Sequence, residues 1–193
     1  MPIIFTEQDK ENLRKRLFKV GFERIKKYGF KKTRIDEIAS DAGIAKGTFY
    51  NFFESKEQFF FKMMKFNRDN NRKKAEKFFL HGNPTRENTR EFFLKKYLEG
   101  DISVAYIERD DLALIFRKNP NSLEEVKTEA LDFMDKIFDS IKDKSPNAER
   151  DVIVNMMNII ADYVANKERY FENTFETTVT ILVDSMVNYI FEA

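Results

Sequence analysis

The sequence predicts an all-α fold of about nine helices, on three observations. First, the 193 residues hold only four Pro and six Gly, few for a turn-rich β fold. Second, apolar residues recur three and four apart in segment after segment, the spacing that lines one face of a helix. Third, the segments are separated by short breaks such as Ala42-Gly43-Ile44, His81-Gly82-Asn83-Pro84, Asn119-Pro120-Asn121 and Lys144-Ser145-Pro146.

The elements follow in order. Residues 6–28 form the first helix, with Thr6 as its cap and Asp9 at the box position. Leu13, Leu17, Val20 or Gly21, and Ile25 make its core stripe, widened by Phe18 and Phe22, and Gly29 ends it. Thr33 is expected to cap a short second helix, with Asp36 as the capping acid and Ile35, Ile38, Ala39 and Ala42 facing inward. Gly43 can adopt the left-handed conformation that lets the chain turn sharply, and Ile44 plugs the angle. A third helix, Lys46 to about Phe53, turns Phe49 and Phe53 inward and leaves Lys46, Gly47, Thr48, Tyr50 and Asn51 outside. Ser55-Lys56-Glu57-Gln58 is a capping box that opens a long helix to about Phe79. It is aromatic at first (Phe59, Phe60, Phe61, Phe66) and strongly polar from Asn67. The lone His81 punctuates the loop after it. Helices are expected from Thr85 to Glu99, from Asp101 to about Lys118, and from Leu123 to about Asp143. Ser122 and Glu125 form the box of the third of these, whose stripe includes Val126, Ala130, Phe133, Ile137 and Ile141. The last two helices, about 147–168 and 173–191, are apolar on more than one side. Such helices are buried from several directions, by a partner chain or as a hairpin that completes the core.

Two short helices joined by a tight turn make a helix-turn-helix, which holds an exposed helix stiffly enough to enter the DNA major groove. The outer face suits that task. Lys46 and Lys56 bring charge, Thr48 and Tyr50 bring hydroxyls, and Gly47 lets a backbone come close. The helix starts at Thr33 and Ser55 offer N–H groups to an anion. Other readings of the same residues are ordinary solvated lysines and a Tyr50 packed against the first helix.

The ordered run Ile38-Ala39, Ala42-Gly43-Ile44, Lys46-Gly47-Thr48-Phe49-Tyr50, Phe53, Ser55-Lys56-Glu57 resembles the TetR family of bacterial transcriptional regulators. Leu17-Phe18, Val20-Gly21, Ile25 and Gly29 fit the first helix of that family, so the resemblance covers roughly the first 60 residues. It implies a DNA-binding domain at 1–54 and an effector-binding and dimerisation domain at 55–193. It implies DNA contacts by Thr33, Arg34, Lys46, Gly47, Thr48, Tyr50, Asn51 and Lys56. The chain departs from the pattern at Phe52, where many members have His and a phosphate donor; Asn51 stands beside it as a substitute. The resemblance further implies a homodimer through the last two helices (about 147–191), a palindromic operator, and a repressor released by a small molecule. The long helix from Ser55 would carry the signal.

Composition narrows the remaining classes. With no Cys and one His, a thiol nucleophile, a hydrolytic triad and a multi-His metal site are unavailable. We expect no enzyme, no cofactor and no metal. No apolar run nears the ~20 residues that span a bilayer, and the N-terminus lacks the order of a signal peptide; a cytoplasmic protein without a membrane partner is expected. Net charge is +1 but uneven: residues 1–56 carry 13 basic against 8 acidic residues, the remainder 21 against 25. A basic module on a mildly acidic body fits DNA binding. A helical partner-binding protein, using its helix-turn-helix for protein contacts, is the alternative, and the basic module speaks against it.

Fourteen of the 21 Phe lie beyond residue 56 and either line an apolar pocket or fill a core. The candidate lining for an apolar or aromatic effector is Phe66, Asn67, Phe93, Tyr97, Tyr106, Phe116, Met134 and Phe138. Glu108-Arg109-Asp110-Asp111 is either a polar recognition cluster or an exposed charged turn.

Overall fold

The computed structural model describes residues 6–99, 107, 109–119 and 122–192, without the side chains of 109 and 122–127. Among the described residues there are nine α-helices and no strand. They are α1 (Glu7–Lys32), α2 (Ile35–Asp41), α3 (Lys46–Tyr50), α4 (Lys56–Phe79), α5 (Arg86–Leu98), α6 (Arg109–Arg117), α7 (Ser122–Ser140), α8 (Arg150–Ala165) and α9 (Phe175–Glu192).

Local signals explain three of the helix starts. Thr6 Oγ1 accepts from Asp9 N at 3.1 Å, and the Asp9 carboxylate accepts from Thr6 N at 3.0 Å, a complete capping box on α1. Thr85 and Asn88 make the same reciprocal pair on α5. Ser55 Oγ accepts from Gln58 N at 3.1 Å, while Gln58 Oε1 reaches back to Glu54 N at 3.0 Å. The box expected at Ser122 and Glu125, and Val126, lie among undescribed side chains.

Packing groups the chain differently from a division at 54/55. One compact unit holds the residues up to Arg68 together with Tyr106–Ser122; the other holds Asp69–Ala105 and Leu123–Ala193. In the first unit Leu17, Ile25, Ile38, Phe49, Phe53, Phe59, Phe60 and Met63 form a closed core. Each such side chain stabilises the fold by about 1.5–3 kcal/mol on burial. Gly21 lets α1 close on α4: a Cβ there would stand 2.6 Å from Phe59 Cζ. α6 joins this unit. Ile107 and Ile115 are buried in its core, Phe116 meets Phe61 edge-on at 6.1 Å, and buried Asp111 pairs with Lys31 at 3.7 Å.

In the second unit α9 packs on α5 and α8 through Val179, Val183, Met186, Val187 and Ile190. Phe93, Tyr97, Ile153, Ile160 and Val164 face them in the same core. Arg90 grips Asp184 with two nitrogens, at 2.5 and 3.2 Å, and Arg86 reaches Glu192 at 2.8 Å, pinning α5 to α9. α8 and α9 leave other faces open: Ile159 and Ile181 are each 59% exposed.

Several sequence expectations are corrected. α1 runs on to Lys32, but Gly29 at φ 74 interrupts it, so the glycine breaks the helix and one more turn follows. α3 stops at Tyr50, short of the expected Phe53, and residues 51–52 form a turn. The helix expected from Asp101 begins at Arg109; residues 101–106 and 108 lie outside the described residues. Ala130 is exposed and takes no part in the core.

Candidate nucleic-acid interface

The angle between α2 and α3 is set by backbone hydrogen bonds around Gly43. Gly43 N donates to Ser40 O and Ile44 N to Ala39 O, both at 2.9 Å. With Gly43 at φ 69, this is the Schellman closure, in which a left-handed residue turns the helix end back on itself. Ile44 then packs against the core as expected. α3 spans only five residues and would not persist alone. It is held by Phe49, fully buried with its ring 5.2 Å from Phe53 and 5.1 Å from Phe59. Phe49 thus anchors the inner face, and everything else on α3 is presented outward.

The outward residues are Lys46, Gly47, Tyr50 and Asn51, all exposed, and Thr48, half-buried. A Cβ at Gly47 would meet nothing within 4 Å, so the backbone there lies open. Tyr50 is 46% exposed, and its ring stands edge-on to that of Phe49 at 5.5 Å. Its ring is therefore fixed while its hydroxyl end is free to reach an external acceptor. Arg34 is exposed beside this face.

Electrostatics sharpen the patch. α2 carries three carboxylates, and each is matched by a cation. Arg24 bonds Asp41 at 2.7 Å and also holds Glu37. Asp36 accepts from Lys46 at 2.8 Å and from Arg34 at 3.2 Å. The hydrogen bond from Lys46 holds the Asp36 carboxyl below its ordinary range, and the same bond raises Lys46. Lys46 is thus aimed by Asp36 across the turn, at the cost of part of its field.

Two expected contact residues sit elsewhere. Thr33 was expected to cap α2, but the cap position is Arg34, which makes no side-chain capping bond. Thr33 is buried, and its hydroxyl donates to Gly29 O at 2.7 Å. The break at Gly29 leaves that carbonyl without a helical donor, and Thr33 satisfies it. Lys56 is half-buried: its amine lies 4.3 Å over the Phe30 ring and donates to Lys31 O at 3.4 Å. Burial lowers its pKa. It covers the carbonyl end of α1, where a cation is favoured.

The candidate effector residues divide between the units. Phe66, Asn67 and Phe116 belong to the first, where Phe66 packs on Phe18 at 5.3 Å. Phe93, Tyr97, Met134 and Phe138 belong to the second. Phe93 and Tyr97 stack at 6.3 Å, and the Tyr97 hydroxyl donates to Met157 O. Tyr106 and Glu108 lie outside the described residues. Of the acidic cluster near them, Asp111 is buried and Asp110 exposed. Sequence reasoning gave Asp36 as a capping acid, but its carboxylate pairs with Lys46 across the turn instead, and it passed over Arg24, whose partners lie on the next helix.

Residues 17–63 match the family model described as bacterial regulatory proteins, tetR family. That bears out the resemblance read from the first 60 residues. No curated protein sequence matches the chain. Solved structures match along nearly its whole length. A TetR family transcription regulator from Marinobacter aquaeolei VT8 is 17% identical, covers 96% of this chain and 98% of its own, and superposes with a TM-score of 0.60. The superantigen PfiT is 15% identical over 96% and 99%, with a TM-score of 0.59. The transcriptional regulator FadR from Bacillus subtilis, solved with stearoyl-CoA, is 17% identical over 91% and 98%, with a TM-score of 0.57. At these identities the likeness shows the fold: an all-α chain of the TetR regulator type with an N-terminal helix-turn-helix. No helix among the described residues is long and apolar enough to cross a membrane.

Proposed function

We propose that this chain, a TetR-type fold whose residues 17–63 carry that family's DNA-binding segment, is a ligand-responsive, DNA-binding transcriptional regulator. One observation carries the reading. A five-residue helix with a fully buried aromatic anchor projects Lys46, Gly47, Thr48, Tyr50 and Asn51 from a stiff turn. Arg34 flanks that face. A helix so short has no other evident use than presentation, and its outer residues supply charge, hydroxyls, an amide and an open backbone. Thr33 and Lys56 act behind it, positioning α1 and α2.

The regulator works as a cytoplasmic homodimer. Ile159 on α8 and Ile181 on α9, each 59% exposed, are the apolar surface that a second copy covers. Twofold symmetry then demands a palindromic operator, with half-sites about one helical turn or more apart. The head lies within 1–54; effector binding and dimerisation lie within 55–193. The effector is a small apolar or aromatic molecule, a reading supported by the aromatic side chains of α5 and by stearoyl-CoA in the complex of FadR. It releases the repressor by preferring a conformation that does not fit the operator. α4, which begins in the first compact unit and ends in the second, carries the change. Binding of the purified protein to DNA from its own upstream region tests this. Saturable, palindrome-specific binding is expected; binding blind to sequence would overturn it.

A further inference from the structure

Cations stand at both ends of α3. At its start Lys46 and Arg34 share the Asp36 carboxylate. At its end the turn delivers Phe52, half-buried, directly after the exposed Asn51. The Phe52 ring packs against the core of the first unit, 6.3 Å from the fully buried ring of Phe53. Arg14 on α1 carries its guanidinium over the Phe52 ring, 5.6 Å from the centroid and within cation–π reach. The ring steadies the side chain but accepts none of the directed hydrogen bonds that a guanidinium can make. The ion pair of Arg14 with Glu11 is loose, at 3.6 Å, and Lys15 shares the same carboxylate at 3.7 Å. Such a pair engages few of the five guanidinium donors, and the Arg14 side chain is 42% exposed.

The spacing suits DNA. From Lys46 to Phe52 the chain advances roughly 9 Å at the helical rise of 1.5 Å per residue. The major groove is about 12 Å wide, with a phosphate strand along each rim. Charges just beyond the two ends of so short a helix fall near the phosphates that border the groove. We infer that Arg14 is a further DNA contact, a phosphate-binding residue outside the helix-turn-helix, and that Phe52 is the positioning residue that holds it at the far end of α3. This rests on the reading that α3 enters the major groove.

Affinity of the full chain for DNA from its own upstream region, across a salt series, tests it. Arg14→Met keeps an unbranched stem and removes the charge. It should bind about ten times more weakly at low salt and flatten the slope of log K against log salt by about one. The loss should be equal on a scrambled duplex, because phosphates carry no sequence. Arg14→Lys, which keeps the charge, should keep the slope. Phe52→Leu should weaken binding about threefold alone and add nothing to Arg14→Met, the signature of a residue that acts through Arg14. Lys19→Met, an exposed charge five residues along α1 and on another face, should leave affinity within about twofold. Calorimetry confirms that each variant is folded. If Arg14→Met changes neither affinity nor slope, or if Lys19→Met matches it, the contact is overturned while the regulator reading stands. If the wild type binds no DNA, both fall together.

Discussion

The same substitution at two glycines should have opposite effects. At Gly21 an added methyl meets Phe59 Cζ at 2.6 Å and Cε1 at 2.7 Å. Carbon atoms sit comfortably at about 3.5–4.0 Å, so the ring must retreat by roughly 1 Å. It has nowhere to go. Phe59 is fully buried, with the rings of Phe53, Phe49, Phe60 and Phe18 at 4.9, 5.1, 5.1 and 5.7 Å. Overpacking costs about 1–3 kcal/mol, and a contact this close on a fully enclosed ring lies in the upper half of that range, about 2–3; the gain in helix propensity returns about 1. A net loss of about 1–2 kcal/mol lowers Tm by roughly 2–8 °C in a chain of this size. At Gly47 nothing lies within 4 Å, so Gly47→Ala should hold or raise Tm by about 2–4 °C. Yet that methyl stands where the backbone approaches DNA, and operator affinity should fall about tenfold, or about 1.4 kcal/mol. Calorimetry and fluorescence anisotropy read the two quantities separately. An unchanged Tm in Gly21→Ala would refute the close α1–α4 packing, and undiminished affinity in Gly47→Ala would remove Gly47 from the contact surface.

Three further outcomes follow from the pairings. Asp36→Asn releases Lys46 and Arg34, so DNA affinity at low salt should rise about three- to tenfold and the slope of log K against log salt should steepen by about one; an unchanged slope would show that Lys46 contacts no phosphate. The Asp41 carboxyl is held below its ordinary value of 3.8, chiefly by its hydrogen bond from Arg24. A depressed folded pKa stabilises above the unfolded value and is lost as pH falls through the folded one. The stability gap between wild type and Arg24→Met, followed by denaturant melts, should therefore be full above about pH 4 and close as the pH falls below it; a gap independent of pH would mean that Arg24 acts by packing alone. Finally, Ile159→Glu combined with Ile181→Glu should convert dimer to monomer in sedimentation velocity without loss of helicity, whereas a variant that stays dimeric would place the interface elsewhere.

The local part of the head was readable because its signals are local. Gly43 between two apolar stripes, Thr6 with Asp9, Ser55 with Gln58, and Phe49 four residues before Phe53 each need only a few neighbours to act. Thr33 misled because two helix ends compete for it. Its spacing suits a cap for α2, but the break at Gly29 exposes a carbonyl that its hydroxyl reaches first. Lys56, expected at a phosphate, was hard to place for a related reason: a basic residue at a helix start gives no sign of the Phe30 ring beneath it. The pairing of Asp36 with Lys46 depends on the angle of the turn, which no spacing rule supplies. The packing of α6 onto the first unit joins residues some 80 apart, as in Lys31 and Asp111.

The measurement closest to the central claim is the affinity of the purified protein for DNA from its own upstream region, across a salt series, for wild type and Tyr50→Ala. Tyr50 is 46% exposed, with its ring edge-on to Phe49, and should leave the fold intact when truncated. The account predicts palindrome-specific binding that weakens steeply with salt and drops at least tenfold in the variant. Weak binding that ignores sequence and is indifferent to Tyr50 would contradict it, provided that mass spectrometry of the denatured sample finds no co-purified effector.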